Sequence, residues 1–334
     1  MAKKKSNTTT ILVPDPLRKS VELATGGKGT VLYTSKGYPT YMTIVPSFNC
    51  EDVADDLGTG KHPAFIVDGV DKSEIFIATY QSIIHDGQAL SLPYQRPRTS
   101  INFNDAKAAC IEAGPGFHLM TNWEWAAISF WCMKNGFFPR GNTDYGKSHS
   151  HPDEVGLRSR DYGITLTGSG PDTWRHDGTM SGISDLVGNV WEWIDGLQLI
   201  DGKIKMPSDN NFCQPENKWP DAGSKIDAVN GIQISDAITK RGWTSQWFRD
   251  IAAKEGYDVP VALKRALLCP CDAIAGKSEI PGYVWADNSK KQKSAALRGG
   301  SFGGGASAGV FALGLGPAPS LSSYNIGFRA AKIE

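Results

Sequence analysis

Apolar positions are unevenly spaced along this chain, and their spacing marks out its elements. The first forty residues are polar and Lys-rich, broken at Gly26-Gly27-Lys28-Gly29. They read as an arm carrying one helix over Leu17–Ala24. From Tyr41 the texture changes. Tyr41–Phe48, Ala64–Val67 and Glu74–Ala78 are short β-type runs separated by turns. Asn104-Asp105 then precedes an Ala-rich helical segment, Ala106–Ala113, which Gly114-Pro115 stops. Thr121-Asn122-Trp123-Glu124 has the form of a capping box, in which the Thr hydroxyl and the Glu carboxylate satisfy free amides at a helix start. It opens a helix over Trp123–Lys134, where Trp123, Ala127, Phe130 and Trp131 keep helical spacing. Residues 137–182 read as loop, and Leu186–Trp193 as a compact apolar segment around a Gly188-Asn189 turn. Residues 196–296 form a long intervening region with one expected helix, Ile234–Lys254, and few strand signals. The pairs Trp123/Trp125 and Trp191/Trp193 are not a repeat, because one opens a helix and the other reads as strand.

The end of the chain is different again. Between Arg298 and Arg329 there is no Lys, Arg, Asp, Glu or His. Gly, Ser and Ala dominate there, as in a linker. Yet Val310, Phe311, Leu313, Leu315, Ile326 and Phe328 keep an apolar frame, and Ile326-Gly327-Phe328-Arg329 reads as a buried strand. Small side chains displayed on a fixed apolar frame suit a recognition surface better than a reaction centre.

Composition adds limits. The 334 residues include 35 Lys plus Arg against 35 Asp plus Glu, so zero net charge gives no reason to expect nucleic acid or an anionic membrane as partner. No stretch reaches transmembrane length, and the residues after Lys3–Lys5 lack the apolar run of a secretory signal. Synthesis and folding in a cytoplasm are expected. Cys50, Cys110, Cys132, Cys213, Cys269 and Cys271 form no CxxC pair and read as buried free thiols.

Candidate chemistry is thin. His149-Ser150-His151 sits in a polar loop, where solvation explains it better than metal. Asp185, Asn189 and Asp195 carry oxygens that could ligate calcium, although no metal or other cofactor is expected. Glu124 and Glu192 could form an acid/base pair, but a capping role accounts for Glu124 and a buried Arg or amide partner for Glu192. The glycines at 299–300 and 303–305 lack the Lys-Ser/Thr of a phosphate loop.

Three segments together resemble the formylglycine-generating-enzyme-like branch of the C-type lectin fold. They are Phe117–Ala126, Gly188-Asn189-Val190-Trp191-Glu192-Trp193, and Arg298-Gly299-Gly300-Ser301-Phe302 with Gly327-Phe328-Arg329. The resemblance implies an α+β, loop-rich fold over residues 41–334, with a long insertion at about 197–296 and residues 1–40 as an N-terminal arm. The branch's activity does not carry over. The reactive Cys pair expected after Arg-Gly-Gly-Ser is missing, and so is the His-x3-His-x-Glu iron cluster of the sulfoxide synthases.

Within that branch the C-terminus resembles the variable proteins of diversity-generating retroelements. In these, adenine-directed mutagenesis turns Asn codons into almost anything except Lys, Glu, Gln, Met or Trp. Residues 299–331 contain none of those five. The resemblance makes Gly303, Gly304, Ser307, Gly314, Gly316, Pro317, Leu321, Ser323 and Tyr324 the variable, ligand-binding positions. Phe302 joins them, standing where Trp is usual, and Asn325 would be an unmutated template position. Gly305, Ala306, Val310, Phe311, Leu313, Leu315, Ile326, Gly327 and Phe328 would be the fixed frame. The variable residues should be accessible and share one face. The implied function is ligand binding without catalysis, and the implied partner is a host cell-surface protein or glycan. The implied location is a phage tail, with the bacterial cell surface as alternative, and a homo-oligomer, most readily a trimer, is expected. The other readings are an enzyme of the same branch that uses other residues, and a structural tail component.

Overall fold

The computed structural model describes residues 14–160 and 163–334. The first thirteen residues of the expected arm, with Lys3–Lys5, lie outside the described residues. Helix α1 (Pro16–Ala24) is capped by Asp15, whose carboxylate accepts the Arg18 amide at 2.9 Å, and Pro16 takes the first turn, where no amide is missed. Strand β1 (Gly29–Tyr33) follows and pairs antiparallel with β2 (Pro39–Pro46). Residues 29–40 are therefore part of a sheet, which shortens the arm expected over residues 1–40.

Two small hairpins, β3 (Ile66–Val67) with β4 (Val70–Asp71) and β6 (Ile83–His85) with β7 (Gln88–Leu90), flank β5 (Glu74–Ala78). Helix α2 (Phe103–Glu112) starts earlier than its Ala-rich run suggests. Asn102 takes the cap, its side-chain oxygen accepting the Asp105 amide at 2.9 Å. After β8 (Phe117–Leu119) comes α3 (Asn122–Lys134), opened by the expected Thr121–Glu124 capping box. All residues from Asn122 to Phe130 are buried, so α3 is a central helix covered on every side. Its indoles are satisfied: Trp123 donates to the Pro207 carbonyl at 3.1 Å and Trp125 to that of Val310 at 2.7 Å.

The second half of the chain builds a larger sheet. Its strands are β9 (Trp191–Ile200), β10 (Lys203–Lys205), β11 (Asp221–Asp227), β12 (Gln233–Ser235), β13 (Trp243–Trp247), β14 (Ala252–Ala253), β15 (Tyr283–Asp287), β16 (Ser294–Gly299), β17 (Gly309–Leu315) and β18 (Ile326–Phe328). Their order is β13-β15-β17-β16-β9-β10-β11-β12-β14, and β18 runs parallel to β9. Residues 197–296, expected to be an insertion poor in strands, thus supply β10 to β15. The expected helix over Ile234–Lys254 is absent. β12, β13 and β14 occupy that stretch, broken at Gly242 with φ 143°, a left-handed value that ends any helical run. The short helix α4 (Val261–Arg265) lies further on.

The last strand, β19 (Ala330–Lys332), returns to the first sheet, whose order is β1-β2-β5-β19-β8. One apolar cluster gathers around α3 and the larger sheet, and a second lies around α2 and the first sheet. The fold class is α+β.

Candidate ligand-binding surface

Alternation along β17 divides the C-terminal segment. Phe311, Leu313 and Leu315 are buried in the main core, Leu313 lying opposite Val284 of β15 and Arg298 of β16. Ile326 and Phe328 are buried in the second cluster. The expected frame is in place, with one exception: Gly305 and Ala306 sit in a short 3-10 turn, and Ala306 is exposed.

The candidate variable residues differ in accessibility. Gly303, Leu321 and Tyr324 are exposed, Tyr324 by 63% of its surface, and Gly304, Ser307, Pro317 and Ser323 are half-buried. Phe302, Gly314 and Gly316 are buried, against expectation. Phe302 joins Ile164 and Val190 in a small separate cluster. Gly314 lies on the β17 face opposite the core, between Trp285 of β15 and Leu297 of β16. Gly316 is covered by Trp243, whose ring would stand 2.5 Å from an added Cβ. In both glycines the cover comes from side chains of β13, β15 or β16.

Ring contacts tie the accessible residues together. Tyr145 packs edge-on against Phe302 at 5.3 Å, Phe302 meets Tyr324 at 6.1 Å, and the Tyr145 hydroxyl lies 3.3 Å from a Cβ placed on Gly303. The Trp191 amide donates to the Asn325 carbonyl, and the Trp191 ring meets Trp285, the neighbour of Gly314. Main-chain bonds pin the loop to the start of α2: Ser100 donates to the Ser323 carbonyl and Phe103 to that of Pro319. Its tips can vary while its path is held.

Buried polar groups beneath this surface are matched closely. Both oxygens of Glu192 receive the Arg329 guanidinium, at 2.9 and 2.8 Å. Arg329 also donates to the Ala78 and Ser184 carbonyls. Asn189 donates to Gln81 and accepts from Thr165 and Asn142. Arg298 has Asn122 and two carbonyls as partners and no carboxylate, and burial lowers its pKa to about 9.

These bonds also occupy the candidate chemical groups. Glu124 accepts the Thr121 amide, the His118 ring and the Asn210 amide group, so it serves the cap and a buried ion pair. Asp195 pairs with Lys107 at 2.8 Å, whereas Asp185 accepts the Gly168 amide and Asn189 is held as above, so the three do not form the imagined calcium cage. Among the described residues no three His, Cys, Asp or Glu side chains come together as metal ligands. His149 bonds Thr143, and His151 bonds Ser150. Five thiols are buried and free, and Cys213 is exposed, contrary to expectation. Burial raises the Cys50, Cys269 and Cys271 thiols to about 11, which keeps them protonated and unreactive. No helix among the described residues is long and apolar enough to cross a membrane.

Sequence reasoning missed the residues bordering Gly314 and Gly316. They are Trp243 of β13 and Trp285 of β15. The period-two spacing of Tyr283-Val284-Trp285-Ala286 was a strand signal that could have found half of them.

No protein-family model matches the sequence, and neither does any curated protein. Solved structures do match in shape. Variable protein 1 of Treponema denticola covers 91% of this chain and 98% of its own, at 13% identity and a TM-score of 0.35. The M1 variant of the Major Tropism Determinant covers 87% of this chain at 14% identity and a TM-score of 0.36, and this chain spans 62% of it. PvdO from Pseudomonas aeruginosa covers 91% at 14% identity and a TM-score of 0.31.

Proposed function

We propose that the chain is a ligand-binding protein that displays a diversified surface on a fixed scaffold. One observation carries the reading: within residues 303–324 the large side chains buried in the core and the accessible candidate positions are different residues. Phe311, Leu313 and Leu315 are fully buried, and Gly303, Leu321 and Tyr324 stand at the surface. Burial of a full-sized apolar side chain is worth roughly 1.5–3 kcal/mol, whereas surface substitutions typically stay within about 0.5 kcal/mol. The residue usage of 299–331 fits the same division. Gly303, Gly304, Ser307, Pro317, Leu321, Ser323 and Tyr324 form the variable surface, Gly314 has room for a small side chain beside Leu297, and Gly316 lies under Trp243.

The ligand is a protein or glycan of a host cell surface, and the protein belongs to a phage tail. Assembly as a homo-oligomer, most readily a trimer, would raise the effective concentration of individually weak sites. Binding is favoured over catalysis because Glu124 and Glu192, the carboxylates weighed as an acid/base pair, are engaged by internal partners.

Two display libraries test this. One randomises Gly303, Ser307, Leu321, Ser323 and Tyr324; the other randomises Phe311, Leu313, Leu315, Ile326 and Phe328. Most members of the first should resist protease and yield binders when selected on whole bacterial cells, and most of the second should be digested. Equal losses in both libraries would end the reading.

A further inference from the structure

We propose that Tyr145, which lies outside the C-terminal segment, is a fixed anchor of the binding surface and shares its ligand contact with position 303. The inference rests on the ligand-binding reading above and adds one specificity-determining residue to it.

Asp144 and Lys147 close a two-residue hairpin, each donating its amide to the other's carbonyl, at 2.9 and 3.2 Å. The central residues are Tyr145 at φ 46° and Gly146 at φ 109°. A hairpin turn with positive φ at both central positions favours Asn-Gly or Gly-Gly. Gly146 follows that preference and Tyr145 does not. A bulky side chain on left-handed backbone is strained, and such strain clusters at functional sites and ligand clamps. Burial does not account for Tyr145 either. Its surface is 53% exposed, and among the described residues its hydroxyl takes no hydrogen bond.

Tyr145 touches the C-terminal segment. Its amide donates to the Phe302 carbonyl at 2.8 Å, and the Gly305 amide donates to the Thr143 carbonyl at 3.0 Å, so the hairpin and residues 302–305 are held side by side. The ring packs edge-on against Phe302 and stands 2.9 Å from a Cβ placed on Gly163. These contacts aim the ring before any ligand arrives. The hydroxyl stands 3.3 Å from a Cβ at position 303, so every residue except glycine would touch it there. Phe302 continues the row to Tyr324. A pre-oriented tyrosine offers a large amphipathic contact at low ordering cost. Tyr145 lies outside residues 299–331 and is the constant half of this contact, while residue 303 is the half that changes.

The test takes full-length binders selected from the variable-surface library on whole cells of one bacterial strain, with those cells as the probe. Tyr145→Gly, which suits the turn, should weaken cell binding by roughly tenfold or more, as for a hot-spot aromatic. Tyr145→Asn should do the same, and both melting temperatures should stay near the parent's. In binders that carry a side chain at 303, the effects of Tyr145→Gly and of restoring glycine at 303 should depart from additivity by about threefold or more. Tyr94 is the control. It is 54% exposed at φ 54°, and among the described residues no ring contact ties it to a candidate variable position. Tyr94→Gly should leave binding unchanged.

Binders that ignore both Tyr145 substitutions, yet lose binding when their selected residues at 321 and 324 are restored to Leu and Tyr, overturn the anchor and leave the variable surface standing. A large fall in melting temperature in both Tyr145 variants also overturns it, since Tyr145 would then be a cover for Phe302. Additive effects at 145 and 303 refute the shared contact, as does an equal loss in Tyr94→Gly. A library without binders ends both ideas.

Discussion

Arg329 and Glu192 meet through two parallel hydrogen bonds, Nε to Oε2 at 2.9 Å and Nη2 to Oε1 at 2.8 Å, with both side chains at most 1% exposed. Arg329 is the single residue between β18 and β19, where the chain passes from the larger sheet to the smaller one, and Glu192 lies on β9. The pair joins the two sheets. Removing one member strands a buried charge, which typically costs about 3–5 kcal/mol. Glu192→Ala and Arg329→Met should each lose stability on that scale in urea unfolding. A loss below about 0.5 kcal/mol, the level of an ordinary surface change, would show that the pair is not structural.

The division between frame and surface makes a second expectation. Tyr324→Asp and Leu321→Asp should change stability by no more than about 0.5 kcal/mol. Phe311→Asp, which buries a carboxylate between Phe138 and Phe248, should abolish folding. Circular dichroism melts decide it: a large loss in Tyr324→Asp refutes the division.

Glycines in one strand should behave differently. A Cβ on Gly309 would meet the backbone of Gly282 and Pro281 at 2.8 Å, and backbone there cannot yield cheaply. A Cβ on Gly314 would meet Leu297 at an ordinary 3.5 Å. Gly309→Ala should cost about 1–3 kcal/mol, the usual penalty of overpacking, and Gly314→Ser much less. Gly316→Ser should displace the exposed Trp243 ring, read as a change in tryptophan emission with little change in melting. Equal penalties at 309 and 314 would contradict the geometry.

Acid sensitivity has identifiable sources. Burial depresses the His62 pKa to about 3 and that of His176 to about 4. His62 Nδ1 accepts the Ala64 amide and His176 Nδ1 accepts that of Ile183, bonds that protonation would break. Between about 4 and the ordinary 6.5, the unfolded chain binds protons that the folded chain refuses, so these two residues make stability fall as pH drops through that window. His118 acts oppositely. Burial is the largest single influence and lowers its pKa, but Glu124, the Gly116 carbonyl and Asp195 together leave it raised, so its contribution is complete below 6.5 and is lost as pH rises through the raised value. His62→Gln should flatten the decline in urea midpoint between pH 7 and pH 5. An unchanged slope would rule His62 out.

Much of the fold was legible because its signals are local. The α3 cap lies within four consecutive residues, Thr121 to Glu124, and a buried Arg or amide partner for Glu192 follows from a carboxylate set between two indoles; the structure supplies Arg329. Trp193 is fully buried, as one member of its Trp-x-Trp pair had to be, while Trp191 is partly open. Residues 197–296 were illegible because their order is set at a distance. β13 pairs with β15 about forty residues on, and nothing within Ile234–Lys254 announces that partner. The burial of Gly314 and Gly316 was hidden for the same reason. A glycine has no side chain to declare its surroundings, and the covering residues, Trp285, Leu297 and Trp243, come from elsewhere in the chain.

The position of β19 has a consequence for how variants would be screened in the cell. It lies between β5 and β8, in the interior of the smaller sheet, and is reached only after the ribosome has passed the entire candidate variable segment. A frameshift or premature stop within residues 302–324 would deprive β5 and β8 of their shared partner and leave two hydrogen-bonding edges open. Such a product cannot close its core and is open to degradation. The topology therefore makes closure of the smaller sheet depend on an unbroken reading frame through residues 302–324.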